Sequence, residues 1–182
     1  MAGWYDVVDT EVVHDGWSTL RIDTVRMPDG SSARREVADH LHAVAVVPVT
    51  DDDQVVLLKQ YRHPLGRYLL EIPAGVLDVE GEPLETAARR ELAEETEHEA
   101  RTLTPLVSFH NSAGWTTERT HLFLGEGLTR IADPVHVPEA EEADMEVVLL
   151  PLADAVEAAR DDGFTDVKTA LGLVLVGHRR GL

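Results

Sequence analysis

Apolar and polar positions alternate along the chain in a way that predicts short strands interrupted by three helices. Residues 43–49 are apolar at nearly every position, which indicates a strand buried on both faces. Residues 83–96 are mostly strong helix formers, and Pro83 suits a helix start. Two more helices are predicted at 152–160 and 165–178. Strands and helices mixed in this order predict an α/β protein whose sheet packs between helices.

The N-terminal residues predict a separate antiparallel unit of two or three strands. Residues 4–25 alternate in short stretches, residues 27–30 form a Pro-Asp-Gly turn, and residues 33–38 resume an extended segment. Such a unit is marginal in water, so it must pack on the main domain or on a second copy of the chain. We therefore predict two domains, 1–40 and 41–182, with the first forming a homodimer.

Glutamates occupy the apolar stripe of the helix predicted at 83–96. At about 100° per residue, Glu91 and Glu95 fall inside the stripe and Glu94 at its edge. Carboxylates on a core-facing stripe cost several kcal/mol unless something compensates them. Solvation or pairing with Arg89 and Arg90 is the ordinary alternative, but the wheel directs both arginines elsewhere. A hard divalent cation bound by oxygen ligands is therefore the economical compensation.

Charge and cysteine content narrow the function further. The net charge of −18 argues against nucleic-acid binding, and a phosphate substrate would need cations and a few arginines to approach. No apolar run is long enough to span a bilayer, and the N-terminus does not resemble a signal peptide, so no membrane association is expected. The absence of cysteine excludes disulfides and thiolate catalysis and fits a cytoplasmic protein.

The helix and the loop before it resemble the Nudix box, Gly-x5-Glu-x7-Arg-Glu-apolar-x-Glu-Glu-x-Gly-apolar. The residues at the required mutual spacing are Glu82, Arg90, Glu91, Leu92, Glu94 and Glu95. Gly75 lies one residue too early for this pattern. Glu97 stands where the family has the glycine that closes the helix in a left-handed turn, so either Glu97 accepts strain or the helix ends differently.

The resemblance to the Nudix family implies a fold, a reaction type and a cofactor. The fold would be an α/β/α sandwich with a mixed sheet, carrying the antiparallel strand unit at its N-terminus. The reaction would be hydrolysis that depends on Mg²⁺ or Mn²⁺. The metal ligands it implies are Ala74 (through its carbonyl), Glu91, Glu94 and Glu95.

Flanking segments resemble the ADP-ribose pyrophosphatase branch of that family. They are Lys-Gln-Tyr-Arg-His-Pro at 59–64, Leu-Glu-Ile-Pro-Ala-Gly at 70–75 and Ser-Ala-Gly-Trp-Thr-Thr-Glu-Arg at 112–119. The branch implies cleavage of the pyrophosphate of ADP-ribose, or a similar nucleoside diphosphate sugar, to a nucleoside monophosphate and a sugar phosphate. It also implies that the substrate contacts Trp17, Arg35, Arg62, Ser112 and Glu118.

Three of these five substrate contacts leave an alternative open. Arg62 could instead form a salt bridge, for which Glu71 is a candidate, and Arg35 is hard to separate from its neighbour Arg34. Trp17 could stack on adenine or simply pack in the core, and the same holds for Trp115.

An acidic loop at 139–142 carries the general base that the branch implies. Counting back from Met145 makes Glu141 the base, with Glu142 its rival and Glu94 a further candidate. Ala143 stands where the family commonly has another metal-binding glutamate.

Two other functions stay open: a Nudix hydrolase for a GDP-sugar or a dinucleoside polyphosphate, and a nucleotide-sensing module without catalysis. The clustered carboxylates argue against the sensing module.

Overall fold

Two separate units account for the residues that the computed structural model describes, which are 5–132 and 144–182. The first unit comprises the described residues 5–42 and 110–119, and the second comprises 43–109, 120–132 and 144–182. The first unit therefore contains the predicted N-terminal strands together with a ten-residue segment from the middle of the chain. The predicted boundary at residue 40 left that segment in the larger domain.

The first unit is built on an antiparallel sheet in the order β1-β2-β3, as the alternation of residues predicts. Its strands are β1 (Val7–Asp15), β2 (Thr19–Arg26) and β3 (Ser32–Asp39). All nine residues of β1 are exposed, and among them are the valines at 7, 8, 12 and 13. This strand therefore presents apolar side chains to solvent, which is unusual for a folded unit of this size.

The second unit contains a mixed sheet, which confirms that part of the prediction. Its strands are β4 (Ala43–Val49), β5 (Gln54–Arg62), β6 (Arg67–Glu71), β7 (Ala74–Val76), β8 (His98–His110), β9 (Arg119–Arg130) and β10 (Glu146–Pro151). Their order is β10-β5-β4-β9-β8, with β6 paired to β5 and β7 to β4. β4 runs parallel to β9 and antiparallel to β5 and β7. All seven residues of β4 are buried, as the continuous apolar run predicts.

Helices pack on both faces of this sheet. They are α1 (Leu84–Thr96), α2 (Leu152–Arg160) and α3 (Val167–Arg180), and a short 3-10 turn covers His63–Leu65. Val44 and Val46 of β4 pack in one core cluster with α1. Ala45, Val47 and Val49 pack in the other cluster with α2 and α3. Because alternate residues of a strand point to opposite faces, the sheet lies between α1 and the other two helices. The predicted α/β/α sandwich is confirmed.

Helix α1 ends at the residue where the Nudix box departs from its usual pattern. Glu97 adopts φ 57° and ψ 31°, which is the left-handed conformation that a glycine normally provides. Its N–H donates to the Ala93 carbonyl at 3.0 Å, and its carbonyl accepts from the Ile131 N–H at 2.8 Å. The carboxylate of Glu97 pairs with Arg130 at 3.0 Å. The glutamate therefore accepts the strain, and the helix closes as a glycine would close it.

None of the helices in the described part of the chain combines the length and the apolarity that crossing a membrane requires.

Candidate functional site

The carboxylates of α1 face strand β7, where the chain passes through Pro-Ala-Gly. The backbone N–H of Ala74 donates to Oε2 of Glu95 at 2.8 Å. A Cβ placed on Gly75 would lie 2.0 Å from the carboxylate of Glu91, far inside van der Waals contact. Only glycine leaves room for Glu91 in this position. The backbone of β7 and the two helix carboxylates thus form one closely fitted group.

Arg90 binds three of the neighbouring glutamates, contrary to the direction that the helical wheel predicts. Its Nη1 donates to Glu91 at 2.6 Å and to Glu94 at 3.2 Å. Its Nε and Nη2 donate to the two carboxylate oxygens of Glu82, at 3.4 and 3.1 Å. A wheel gives the direction of the Cα–Cβ bond only, and the long arginine side chain bends back past it. Arg89 does turn away, to Glu85 and the Ala100 carbonyl.

The contacts of Arg90 further stabilise its charged form. The carboxylate of Glu82, together with that of Glu91, raises the pKa of Arg90 above its ordinary value, although burial acts against this. The guanidinium is therefore a permanent positive charge that holds Glu82, Glu91 and Glu94 in one cluster.

Burial makes the two inner carboxylates reluctant to ionise. It raises the pKa of Glu91 to about 6, even though Arg90 acts in the opposite direction. Burial also raises the pKa of Glu95 to about 8, and the negative charge of Glu91 adds to this, while the Ala74 N–H opposes it. The negative charge on this pair is therefore only partly compensated by the protein itself.

These residues suit a hard divalent cation by their chemistry. Glu91, Glu94, Glu95 and the Ala74 carbonyl supply oxygen atoms alone, which are the ligands that Mg²⁺ and Mn²⁺ prefer. As the chain stands, no three acidic or histidine side chains within 5–132 and 144–182 form a ready set of metal ligands. The partly compensated charge on Glu91 and Glu95 and their position beside the Ala74 backbone still fit such an ion. The ligand set stays a prediction.

Arg62 forms the salt bridge that was its ordinary alternative. Its Nε and Nη2 donate to the two carboxylate oxygens of Glu71 at 2.8 and 2.6 Å. Lys168 donates to the same carboxylate and to Asp166. Burial acts to raise the pKa of Glu71, but Arg62 and Lys168 outweigh it and hold this pKa below its ordinary value. The salt bridge to Glu71 gives Arg62 a structural role. Its role in substrate binding stays a prediction.

Four of the predicted substrate contacts lie in the first unit. Trp17 is 72% exposed, so it does not pack in a core, and Arg35 is exposed with Nη1 donating to the Arg34 carbonyl. The Ser112 carbonyl accepts from the backbone N–H groups of the third and fourth residues after it, and the Glu118 N–H donates to a threonine hydroxyl. Their roles toward substrate stay predictions.

The predicted general base lies outside the described residues. Glu141 and Glu142 fall within 133–143, between the two described ranges of the chain. Glu94, the further candidate, lies in the carboxylate cluster beside Arg90.

One ion network in the second unit was not predicted from the sequence. Glu71, Asp166 and Lys168 form a connected ion network. The sequence offers one signal for it: Asp166 precedes α3 and accepts from the Thr169 N–H, as the N-terminal caps of helices do. Nothing in the sequence indicates that the start of this helix meets Glu71, because 97 residues separate Glu71 from Lys168.

Known proteins resemble the chain over most of its length. The NUDIX domain model matches residues 39–168. An ADP-ribose pyrophosphatase of Mycobacterium tuberculosis is 40% identical over 152 residues, which cover 83% of this chain and 72% of the relative. A methanol dehydrogenase activator of Bacillus methanolicus is 34% identical over 167 residues, covering 91% and 89%.

A solved structure adds the comparison of folds. The crystal structure of an ADP compounds hydrolase superposes with a TM-score of 0.83 at 23% identity, covering 97% of this chain and 94% of that one. At this identity the likeness shows the fold alone. The matched domain, the relatives and the carboxylate helix that fits the Nudix box all agree. The chain belongs to the Nudix family and is a Nudix pyrophosphohydrolase.

Proposed function

We propose that the protein hydrolyses the pyrophosphate bond of ADP-ribose, or of a closely similar nucleoside diphosphate sugar, with Mg²⁺ or Mn²⁺ as cofactor. The observation that carries this proposal is the pair of half-buried carboxylates, Glu91 and Glu95, fitted against Gly75 and the Ala74 amide. The relative named an ADP-ribose pyrophosphatase supports the choice of substrate. The products would be AMP and ribose 5-phosphate.

The residues of the second unit divide the work of the reaction. A bound divalent cation supplies charge neutralisation for the diphosphate and makes a bound water more acidic. Glu91, Glu94, Glu95 and the Ala74 carbonyl would hold that ion, and Arg90 keeps two of these carboxylates in place.

The bond changes require a base and a positioned substrate. The oxygen of water attacks phosphorus, the bridging P–O bond breaks, and the proton of the water passes to a glutamate. We assign that proton to Glu141, with Glu142 as the rival, because the acidic residues 139–142 come before β10 in the sequence, as they do in the branch that the chain resembles. The contacts predicted for substrate are Trp17, Arg35, Arg62, Ser112 and Glu118.

Replacement of Glu141 should separate catalysis from binding. Glu141→Gln is expected to lower kcat by about 10²–10⁴-fold and to leave KM nearly unchanged, because the base acts only in the transition state. Steady-state kinetics measure kcat and KM. A Mg²⁺ titration should show a nearly unchanged affinity for the metal. If Glu142→Gln gives that pattern instead, the base lies one residue later. If neither does, Glu118 or Glu94 is the next candidate to test.

We also propose that the protein is a cytoplasmic homodimer joined through the first unit. All residues of β1 are exposed, with four valines among them, and this apolar strand would gain stability from a partner copy. Light scattering at micromolar concentration should give twice the 20.0 kDa mass of the chain. A monomer with full activity would contradict this. The cytoplasmic assignment depends on the absence of cysteine.

A substrate panel tests the choice of ADP-ribose. We expect the highest kcat/KM with ADP-ribose, and lower values with GDP-sugars and dinucleoside polyphosphates, when phosphate is released from the products by an added phosphatase. A higher kcat/KM with another compound would transfer the proposal to that compound. Tight binding of ADP-ribose without turnover of any compound would favour the nucleotide-sensing module instead.

A further inference from the structure

A buried threonine at the start of α3 reaches back to the segment that leads into β7. Thr169 has no exposed surface, and its hydroxyl accepts from the Ile72 backbone N–H at 2.9 Å. The same hydroxyl donates to Oδ2 of Asp166 at 2.6 Å. Asp166 also accepts from the Thr169 N–H at 2.9 Å, as the N-terminal cap of the helix. Both roles of this hydroxyl are therefore used, and its orientation is set by Asp166.

A second connection fixes the residue next to Ile72. Glu71 is only 2% exposed, and its carboxylate receives both Arg62 and Lys168. Lys168 also donates to Oδ1 of Asp166 at 2.9 Å. The side chain of Glu71 and the backbone of Ile72 are thus held together from the first turn of α3. A charged group this deeply buried is stable only while its partners stay in place.

Three residues connect this anchor to the carboxylates of α1. The Pro73 carbonyl accepts from the Val46 N–H at 3.0 Å, and the proline ring fixes its φ angle. Ala74 then donates its N–H to Glu95, and Gly75 lies against Glu91. The Ile72 N–H, the Pro73 carbonyl and the Ala74 N–H are therefore each hydrogen-bonded to a different element. A displacement of Ile72 is expected to displace Ala74 as well.

We propose that Thr169 and Asp166 are positioning residues for the carboxylate site. They hold the Ile72 N–H in place. The Ala74 N–H can then donate to Glu95, and Gly75 stays in position against the Glu91 carboxylate. Their importance for turnover depends on the proposed function, whereas the coupling between α3 and the Ala74 amide does not. A purely local role, as the cap of α3, would leave the Ala74 amide unaffected.

Amide hydrogen exchange of the metal-free, full-length protein tests the coupling without any substrate. In Thr169→Val the hydroxyl is lost while the side-chain shape is kept. We expect the amides of Ile72 and Ala74 both to exchange about tenfold faster, relative to amides in the centre of β9, when followed by NMR. Thr169→Ser keeps the hydroxyl and should restore most of the protection at both amides.

Two further variants keep the test decisive. Asp166→Ala removes the partner that orients the hydroxyl, so the Ile72 and Ala74 amides should again both exchange faster. This variant still tests the proposal if Thr169→Val does not fold. Val156→Ala destabilises the core between α2 and α3 without removing any hydrogen bond of Thr169 or Asp166, and should leave the relative exchange of Ala74 as in the parent protein. Faster exchange at Ile72 with unchanged exchange at Ala74 would overturn the proposal, and so would an equal effect of Val156→Ala.

Kinetics with ADP-ribose then ask whether the coupling matters for turnover. Thr169→Val should lower kcat about tenfold, with a much smaller change in KM, and Thr169→Ser should recover most of it. A loss of kcat that serine does not recover would overturn the positioning role. A parent protein that is inactive on ADP-ribose would contradict the proposed function, and the exchange experiment would still decide the coupling.

Discussion

Glu95→Gln is expected to lower kcat by roughly 10²–10⁴-fold while the protein stays folded. Glu95 lies on the buried face of α1 with its carboxylate against the Ala74 N–H, and glutamine can keep that hydrogen bond. It cannot supply the negative charge that a divalent cation needs. Kinetics with ADP-ribose measure the loss. Glu85→Gln, an exposed position on the same helix, is the matched control and should change kcat little.

The same substitution should stabilise the metal-free protein at neutral and higher pH. Burial raises the folded-state pKa of Glu95 from 4.5 to about 8, so the folded protein binds this proton more tightly than the unfolded chain does. The resulting cost to stability is absent below pH 4.5, grows as the pH rises, and is fully present above pH 8.

Denaturation at two pH values checks the sign of this effect. Glutamine carries no charge at any pH, so the gain in unfolding free energy from Glu95→Gln should be about 1 kcal/mol at pH 5 and about 4 kcal/mol at pH 8. Equal gains at both pH values would show that the Glu95 carboxylate is not the group responsible. A variant with the kcat of the parent protein would remove Glu95 from the ligand set.

Gly75→Ala is expected to abolish most of the activity by displacing Glu91. The added methyl carbon would lie 2.0 Å from the Glu91 carboxylate, a distance that no side chain tolerates. Either β7 or Glu91 must move, and both carry atoms of the proposed metal site. We expect kcat/KM to fall by at least about a hundredfold and the unfolding free energy to fall by about 1–3 kcal/mol.

A double-mutant cycle identifies the cause of that loss. Glu91→Ala removes the carboxylate that the new methyl group would meet, so Gly75→Ala should cost much less stability in the Glu91→Ala background than in the parent protein. Chemical denaturation of the four proteins measures the difference. Costs that simply add would place the effect of Gly75→Ala in the backbone rather than in contact with Glu91.

The pattern of apolar residues predicts the main strands and helices of this protein, because buried side chains must follow the period of the element that carries them. The apolar run at 43–49 becomes β4, buried throughout, and the helix predicted at 83–96 becomes α1 (Leu84–Thr96). β8 already begins at His98, although most of its apolar residues come after residue 102. Its first half carries exposed charged residues, which conceal the strand pattern from a reading based on hydrophobicity.

Contacts made by long side chains and by distant segments are where the sequence-based expectations fall short. The wheel places Glu91 and Glu95 on the inner face, where both have raised pKa values. It does not show that Arg90 bends back to the cluster, because reach and bending are not properties of helical phase. The hydrogen bond from Ile72 to Thr169 spans 97 residues and exists only once the sheet has brought α3 to β6.

Product analysis with and without a divalent cation tests most directly whether the carboxylates of α1 form a metal-dependent hydrolytic site. The protein is stripped with EDTA, dialysed and incubated with ADP-ribose, and phosphorus NMR follows the pyrophosphate signal. We expect no turnover in the stripped protein, and equal amounts of AMP and ribose 5-phosphate once Mg²⁺ or Mn²⁺ is added. Hydrolysis at the full rate after exhaustive EDTA treatment would contradict a metal role for Glu91 and Glu95.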